Sequence, residues 1–154
     1  MQGTCDYKGR FLDVSIGHPG STSDFLAFDT SILKHRLENG LLAPGLVILG
    51  DNAYCNSSYL ATPFKNVKVR GDEDNYNFYH SSLRIRIECA FGMLVNRWGI
   101  LRRPIPSQIT LPKVTSMVMC LCSLHNWCIE NNQGIPAEPT CSDQAEIFMS
   151  WQNS

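Results

Sequence analysis

The octapeptide VILGDNAY, residues 47–54, joins a short apolar run to an acid and a polar loop. Pro44 precedes the run 45–49 and a polar cluster follows it, which is typical of a strand buried on both faces of a sheet. In open α/β sheets, ligands bind beyond the carboxyl ends of such strands, so Asp51 is a candidate site residue. Asp followed by Asn is also typical of a turn or helix cap. The octapeptide alone leaves both interpretations of Asp51 open.

The composition indicates a folded globular protein. The 154 residues are 44% hydrophobic and 18% charged, and this length suits a single domain. No apolar stretch approaches the roughly 20 residues that a membrane-spanning helix needs. The N-terminus lacks the basic and then apolar layout of a signal peptide. We therefore expect an intracellular protein without a membrane partner.

The seven cysteines form an odd, scattered set without a C-x-x-C pair, which favours reduced thiols over a disulfide framework. Cys120, Cys122, His125 and Cys128 lie close together and raise the alternative of a zinc site. They fall, however, in the segment 114–129, which is apolar nearly all round and predicts a buried helix. Because structural zinc ligands usually lie on turns, the pattern favours core cysteines.

The remaining chain alternates strand and helix signals. A turn at Lys8-Gly9 precedes a strand over 11–16, in which Leu12, Val14 and Ile16 are expected to face inward. Only about six residues stand before that turn to form a partner strand, so the fold is expected to begin within a strand. Further elements are predicted as a helix over 25–37 ending at Asn39-Gly40, a helix from Ser81 or Ser82 to Trp98, and a loose tail from Asn131.

Glu88 lies at the border of the apolar face of the helix predicted to end at Trp98. That face carries Ile87, Phe91, Leu94, Val95 and Trp98. If Asp51 and Glu88 converge, their repulsion is relieved when a divalent cation lies between them, and such oxygen ligands suit Mg²⁺ or Mn²⁺. The alternative is that Glu88 pairs with Arg84 four residues earlier, although this is the less favourable order for an i,i+4 pair.

Basic residues are concentrated near that helix, although the net charge of −1 gives no overall nucleic-acid signature. Between residues 84 and 103, Glu88 is the sole acid. Such a run can meet DNA phosphates, but it is also typical of a solvated helix face. The candidate DNA-binding residues are Arg84, Arg86, Arg97, Arg102 and Arg103.

Several motifs occur in a characteristic order: GRFLDVSIGHPGSTSD, LGDNAY, TPF, SSLRIRIECAFGMLVNRWGILRRP and LCSLHNW. Together they resemble the DDE nuclease domain of Harbinger (PIF/Harbinger) transposases and the nucleases derived from them. The resemblance covers residues 1–130 as one nuclease domain and leaves residues 131–154 as a C-terminal tail.

The resemblance implies an α/β fold of the RNase H-like type, a mixed five-stranded sheet with helices on both faces. It also implies three carboxylates that hold two divalent metal ions, Mg²⁺ or Mn²⁺, and cleave DNA phosphodiesters. Asp51 matches the second catalytic acid, in the motif G-D-x-x-Y, and Glu88 matches the third, in R-x-x-x-E-x-x-F-G. A nuclear location and a separate Myb-like DNA-binding protein as partner are implied by the family.

One departure from the family concerns the first catalytic aspartate, which lies on the first strand of the sheet. Residues 1–6 correspond to the second strand, so the first strand and its aspartate are expected to be missing from this chain. Asp6, Asp13 and Asp24 do not match the missing position. Asp24 is expected to be an N-cap, with a place near the metal site as the alternative, and Asp13 is expected to face solvent or a covering helix. A missing strand also exposes a sheet edge and invites self-association.

Two functional hypotheses follow. In the first, the chain is a metal-dependent endonuclease or transposase-type domain with Asp51 and Glu88 as catalytic metal ligands. In the second, it is a catalytically inactive remnant that binds DNA or protein, because an incomplete carboxylate set holds and positions a metal ion poorly.

Overall fold

The computed structural model describes residues 1–18, 21–106 and 108–133, which form a mixed α/β fold. In these residues there are two sheets of two strands each, four α-helices and one 3₁₀ turn. None of these helices is long and apolar enough to cross a membrane. The predicted tail beyond Gln133, including Cys141, lies outside the described residues. The elements are β1 (Gln2–Cys5), β2 (Phe11–Ser15), α1 (Asp24–Asp29), α2 (Ile32–Glu38), β3 (Ile48–Leu49), β4 (Leu60–Ala61), α3 (Asp72–Arg97), the 3₁₀ turn (Gly99–Arg102) and α4 (Leu111–Glu130).

The chain divides into two compact units. The first unit comprises residues 1–2 and 17–85, and the second unit comprises residues 3–16 and those from Arg86 onward. Helix α3 contributes to both.

The parallel pair of β3 and β4 is the sheet of the first unit, with Ile48 opposite Leu60 and Leu49 opposite Ala61. The predicted strand over 45–49 is therefore shortened to two residues. Its predicted burial on both faces is wrong, because Leu46 and Val47 are exposed and Ile48 and Leu49 are only half-buried. The physical reason is the length of the partner, since β4 offers only two residues for pairing.

The helix predicted over 25–37 is divided into α1 and α2. The break occurs because the Ser31 side chain accepts a hydrogen bond from the Lys34 N–H and starts a new helix. Ser23, and not Asp24, is the N-cap of α1, with its side chain accepting from the Leu26 N–H. The N-cap prediction for Asp24 is therefore wrong. Helix α2 ends at Glu38 with Asn39 as its C-cap, which confirms the predicted stop at Asn39-Gly40.

Helix α3 begins at Asp72, well before the predicted start at Ser81 or Ser82. Its first turn holds three acids, Asp72, Glu73 and Asp74, which are favourable near the positive end of the helix dipole. Ser82 is tolerated inside the helix because its hydroxyl donates to the Phe78 carbonyl at 2.8 Å. The predicted start is wrong because a first helical turn made of acidic residues is as polar as a loop, so the sequence pattern does not distinguish the two.

The core of the second unit lies between the β1–β2 sheet, α3 and α4. Its buried residues are Phe11, Ala90, Leu94, Val114, Val118 and Cys122. Ile87, Phe91 and Trp98 pack against this cluster, which confirms the face predicted for α3. For the strand predicted over 11–16, the inward position is confirmed for Val14 and for Ile16, which lies just after β2. It is wrong for Leu12, which is exposed while Phe11 fills the core.

Helix α4 confirms the predicted helix over 114–129 but not its burial on all sides. Cys122 and His125 face the core, whereas Cys120, Met119 and Trp127 are exposed. Cys120 and Cys122 therefore lie on different sides of the helix. In the described part of the chain, no group of three or more His, Cys, Asp or Glu side chains is arranged to hold a metal ion. The cysteines in that part are free thiols.

Two neighbouring polar residues of α4 bind the backbone of the β1–β2 hairpin. Asn126 accepts from the Phe11 N–H and donates to the Phe11 carbonyl, both at 2.8 Å. His125 Nε2 lies 3.0 Å from the Gly9 carbonyl oxygen and must donate, because a carbonyl can only accept. Burial lowers the pKa of His125, and the nearby Arg97 charge lowers that pKa further against the opposing effect of the Gly9 hydrogen bond.

We expect the free energy of unfolding to fall between about pH 7 and pH 5, by at most about 1.4 kcal/mol per pH unit for His125. The sign follows from the lowered pKa: the unfolded chain binds a proton at His125 below about pH 6.5, while the folded chain excludes it until lower pH. Urea denaturation at a series of pH values measures the slope. His125→Gln is expected to flatten the slope, whereas His35→Gln, at an exposed site on α2, is not. If the free energy of unfolding depends equally on pH in the wild type, His125→Gln and His35→Gln, the dependence does not come from His125.

Candidate active site

Asp51 directly follows β3 and is half-buried. Its Oδ1 accepts a hydrogen bond from the Ala53 N–H at 2.9 Å, which makes a turn closed by the side chain. Both interpretations of the octapeptide therefore apply, because Asp51 is a turn residue and also an acid at the end of a parallel strand. No hydrogen bond to Oδ2 is present within the described residues, so this oxygen can accept from a ligand.

Tyr54 is packed into the same turn. Its ring meets Phe28 edge-on at 5.4 Å between centroids, and its hydroxyl accepts from Gln2 Nε2 at 3.2 Å. The ring also passes close to Gly50: a Cβ at this position would lie 3.0 Å from Tyr54 Cδ2 and 3.2 Å from Leu60 Cδ1. The pattern G-D-x-x-Y thus describes a packed turn, in which glycine gives the tyrosine room and the tyrosine braces the segment that carries Asp51.

Asp24 lies near the same hydroxyl group. Burial, followed by the negative charges of Asp24 and Asp51, raises the pKa of Tyr54 to about 12, while Arg84 acts in the opposite direction. Gln2 Nε2 also donates to the main-chain carbonyl of Asp24 at 2.8 Å, so one side chain ties Asp24 to Tyr54. The sequence favours a cap at Asp24 over a place near the metal site, and it gives no indication of the contact with Gln2. The available signal is its position as the last residue of the quoted motif ending GSTSD.

Glu88 lies on the part of α3 that belongs to the second unit. It is half-buried and interacts with neighbouring residues. It stands one residue after Ile87, which packs against the core, so its position at the border of the apolar face agrees with the expectation from the sequence.

The five candidate DNA-binding arginines differ in their surroundings. Arg86, Arg102 and Arg103 are exposed, and Arg102 donates to the side chain of Asn96. Arg97 Nη1 donates to the Gln133 carbonyl at 3.2 Å, whereas its Nε and Nη2 are buried without a hydrogen-bond partner among the described residues. Arg84 is half-buried, and its positive charge lowers the pKa of Tyr54 against the larger effects that raise it. The exposed members are therefore the ones with charge available to a phosphate.

We expect Gly50→Ala to destabilise the protein by about 1–3 kcal/mol, because the added methyl group would overlap Tyr54 and Leu60. Thermal and urea unfolding measure the change. Gly17→Ala is the matched control, since a Cβ at Gly17 meets nothing within 4 Å. If Gly50→Ala lowers the free energy of unfolding no more than Gly17→Ala does, the packing of the Tyr54 ring does not require glycine at position 50.

Comparison with known proteins gives two matches. The family model of the DDE superfamily endonuclease matches residues 1–126. The chain is also similar to a protein named ALP1-like from Arabidopsis thaliana, with 26% identity over 144 residues, covering 84% of this chain and 35% of that protein. The chain thus spans about a third of the length of this curated relative. No solved structure matches the chain. Because the family model covers most of the chain, the resemblance drawn from the motifs is confirmed: the chain belongs to the DDE superfamily endonuclease family.

Proposed function

We propose that this chain is a metal-dependent DNA endonuclease or transposase-type domain of the RNase H-like fold class. The described residues form two two-stranded sheets and not the five-stranded sheet that the resemblance implies. The observation that carries the proposal is Asp51, an acid with one oxygen fixed in a turn and the other open, at the carboxyl end of a parallel strand. Family membership supports the reaction class, since the matching family is one of endonucleases.

In this proposal Asp51 and Glu88 are the catalytic metal ligands. Carboxylate oxygens are hard ligands that suit Mg²⁺ or Mn²⁺, so the chemistry of these donors fits the ion. When bound, such an ion lowers the pKa of a coordinated water and stabilises charge on the leaving oxygen. The protein's contribution is to hold the acids still: the Ala53 N–H orients Asp51, and α3 carries Glu88.

Asp24 is proposed as a further carboxylate beside Asp51. Both carboxylates lie close enough to Tyr54 for their charges to raise the pKa of its hydroxyl. Tyr54 stays protonated because its pKa is about 12, so it is suited to brace the turn and not to accept a proton at neutral pH. Asp24 would thereby supply an acid that the motif comparison does not.

DNA is the proposed substrate, with Arg86, Arg102 and Arg103 meeting its phosphates. A nuclear location, a Myb-like protein that reads the target sequence and self-association through a sheet edge belong to the same proposal, and they rest on the family resemblance. The alternative is a catalytically inactive module that binds DNA or protein. It is favoured by the finding that the described residues bring together no group of three or more potential metal ligands.

Manganese binding tests the carboxylates directly. Isothermal titration of the full chain with Mn²⁺ should show binding that Asp51→Asn and Glu88→Gln each weaken about tenfold or more, and Asp24→Asn by a smaller factor, because each removes one charged oxygen donor. Asp72→Asn and Glu73→Gln are matched controls, as both acids are exposed in the first turn of α3. Equal affinity in all variants would contradict the proposed ligands.

Nicking of supercoiled plasmid in Mn²⁺ or Mg²⁺ then separates the two functions. Cleavage by the wild type that is lost in Asp51→Asn and Glu88→Gln supports the nuclease. Manganese binding and DNA binding without cleavage support the inactive module.

The DNA surface has a separate prediction. Changing Arg86, Arg102 and Arg103 singly to Gln should weaken binding to duplexes of any sequence and lower the slope of log K against log[salt] by about 0.9 for each phosphate that is no longer neutralised. Fluorescence anisotropy at several salt concentrations measures both quantities. Arg36→Gln is the control, because Arg36 is exposed on α2, outside the arginine run. If the slope of log K against log[salt] is unchanged in all three variants, these arginines do not contact the DNA phosphates.

A further inference from the structure

A short basic segment follows β4 in the first unit. Residues 64–70 have the sequence FKNVKVR and carry Lys65, Lys68 and Arg70 without an acid. We call these seven residues the basic loop. The three cationic residues are exposed, and they are half of the six Lys and Arg residues between positions 17 and 85. Positive charge is therefore concentrated on a small part of the surface of this unit.

The cations of the basic loop are not neutralised by the protein. Arg10 and Lys34 each form ion pairs with two carboxylates. Among the described residues, by contrast, no ion pair or hydrogen bond reaches the side-chain nitrogens of Lys65, Lys68 or Arg70, although the acids of the first turn of α3 follow directly along the chain. These three charges therefore remain available to an anionic ligand.

Helix α3 holds the basic loop at both of its ends. Asn77 accepts from the Phe64 N–H at 2.8 Å and donates to the Phe64 carbonyl at 3.0 Å. Asp74 Oδ2 accepts from the Arg70 N–H at 2.8 Å. The Phe64 ring also meets Tyr76 edge-on, at 5.1 Å between centroids. The cations are thus presented by a fixed backbone, which lowers the entropic cost of binding a partner.

The backbone at Arg70 is left-handed, with φ at 67°. Arg70 is the third residue of a four-residue turn in which the Gly71 N–H donates to the Lys68 carbonyl at 3.2 Å. A positive φ at this position of a turn favours Gly or Asn, so an arginine there lowers stability. A residue held in an unfavourable backbone conformation points to a function of its side chain.

The basic loop leaves the sheet at the same edge as Asp51. Strands β3 and β4 are parallel, and the Gly50 N–H donates to the Ala61 carbonyl at 2.9 Å. Asp51 and Thr62 come directly after this bond, at the ends of neighbouring strands that lie about 5 Å apart. Lys65 is three residues further along, so its Cα lies within about 11 Å of the Thr62 Cα. The cations therefore begin close to the candidate catalytic acid.

We propose that the basic loop binds DNA phosphates and positions the duplex against the end of β3, where Asp51 lies. This inference rests on the proposed function, because Asp51 defines where the cleaved phosphodiester is held. A duplex carries one negative charge per about 1.7 Å of its axis, so a duplex that reaches Asp51 also brings phosphates to a loop that begins at the adjacent strand end. Contacts of this kind fix the position of DNA without reading its sequence.

Duplex binding in EDTA tests the loop in the full chain without any cleavage step. Fluorescence anisotropy at several salt concentrations gives the affinity and the slope of log K against log[salt]. Lys65→Gln, Lys68→Gln and Arg70→Gln together should weaken binding about tenfold or more and lower the slope by about 0.9 for each phosphate that is no longer neutralised. The matched control removes the same charge by changing three exposed cations elsewhere to Gln, namely Lys8, Arg36 and Lys113.

A single variant separates DNA binding from folding. Glycine accepts the left-handed backbone at position 70, so Arg70→Gly should unfold at a temperature no lower than that of the wild type. It should nevertheless bind duplex as weakly as Arg70→Gln does, because both lack the charge. If Arg70→Gly and Arg70→Gln both bind duplex as tightly as the wild type, Arg70 serves the turn alone and the proposal is overturned.

The outcomes distinguish this inference from the proposed function. If the wild type binds duplex and the triple loop variant binds it with equal affinity and slope, the inference is overturned while the proposed function stands. If the loop variant loses binding but the wild type does not nick plasmid, the surface is supported and the nuclease is not. A loop variant that loses affinity for polyglutamate but not for duplex would also overturn the inference, since an acidic peptide would then be the partner.

Discussion

The hydrogen bonds from Asn126 and His125 to the backbone of residues 9–11 determine how α4 lies in the second unit. Each bond satisfies a backbone group of the hairpin that would otherwise be costly to bury. Because the two side chains are adjacent on the helix, they leave little freedom for α4 to rotate. The same rotation that places Val118 and Cys122 in the core turns Met119 and Trp127 outward. The exposure of Met119 and Trp127 is thus a consequence of the polar contacts on the opposite side of α4.

In the first unit, the turn that carries Asp51 is fixed by contacts with residues around it. Gly50 permits the close approach of the Tyr54 ring, and Gln2 binds both the Tyr54 hydroxyl and the Asp24 carbonyl. The turn that carries Asp51 is thereby held from several sides, although β3 and β4 contribute only two residues each. A short sheet can position a carboxylate when its flanking loops are packed in this way.

Elements with a strong periodic signal were predictable from the sequence, and those decided by local side-chain hydrogen bonds were not. The apolar face of α3, the presence of a helix over 114–129 and the strand β2 followed from the sequence pattern, whereas the burial of that last helix on all sides did not. The break between α1 and α2 depends on the cap at Ser31, and the early start of α3 depends on acids near the positive end of the helix dipole. In the sequence, both features resemble the polar residues of a loop. The position of Asp51 at the end of a strand was predictable from the apolar run that precedes it. The placement of Asp24 depended on Gln2 and Tyr54, which are distant in sequence from it and share no motif with it.

The charges around Tyr54 indicate what the first unit is suited to hold. Two carboxylates, Asp24 and Asp51, and one guanidinium, Arg84, act on its hydroxyl, so negative charge is in excess. The turn closed by the Ala53 N–H keeps Asp51 in place at the end of β3, so its negative charge stays beside Tyr54. A divalent ion bound there, as we propose, would offset that negative charge more fully than a single arginine does.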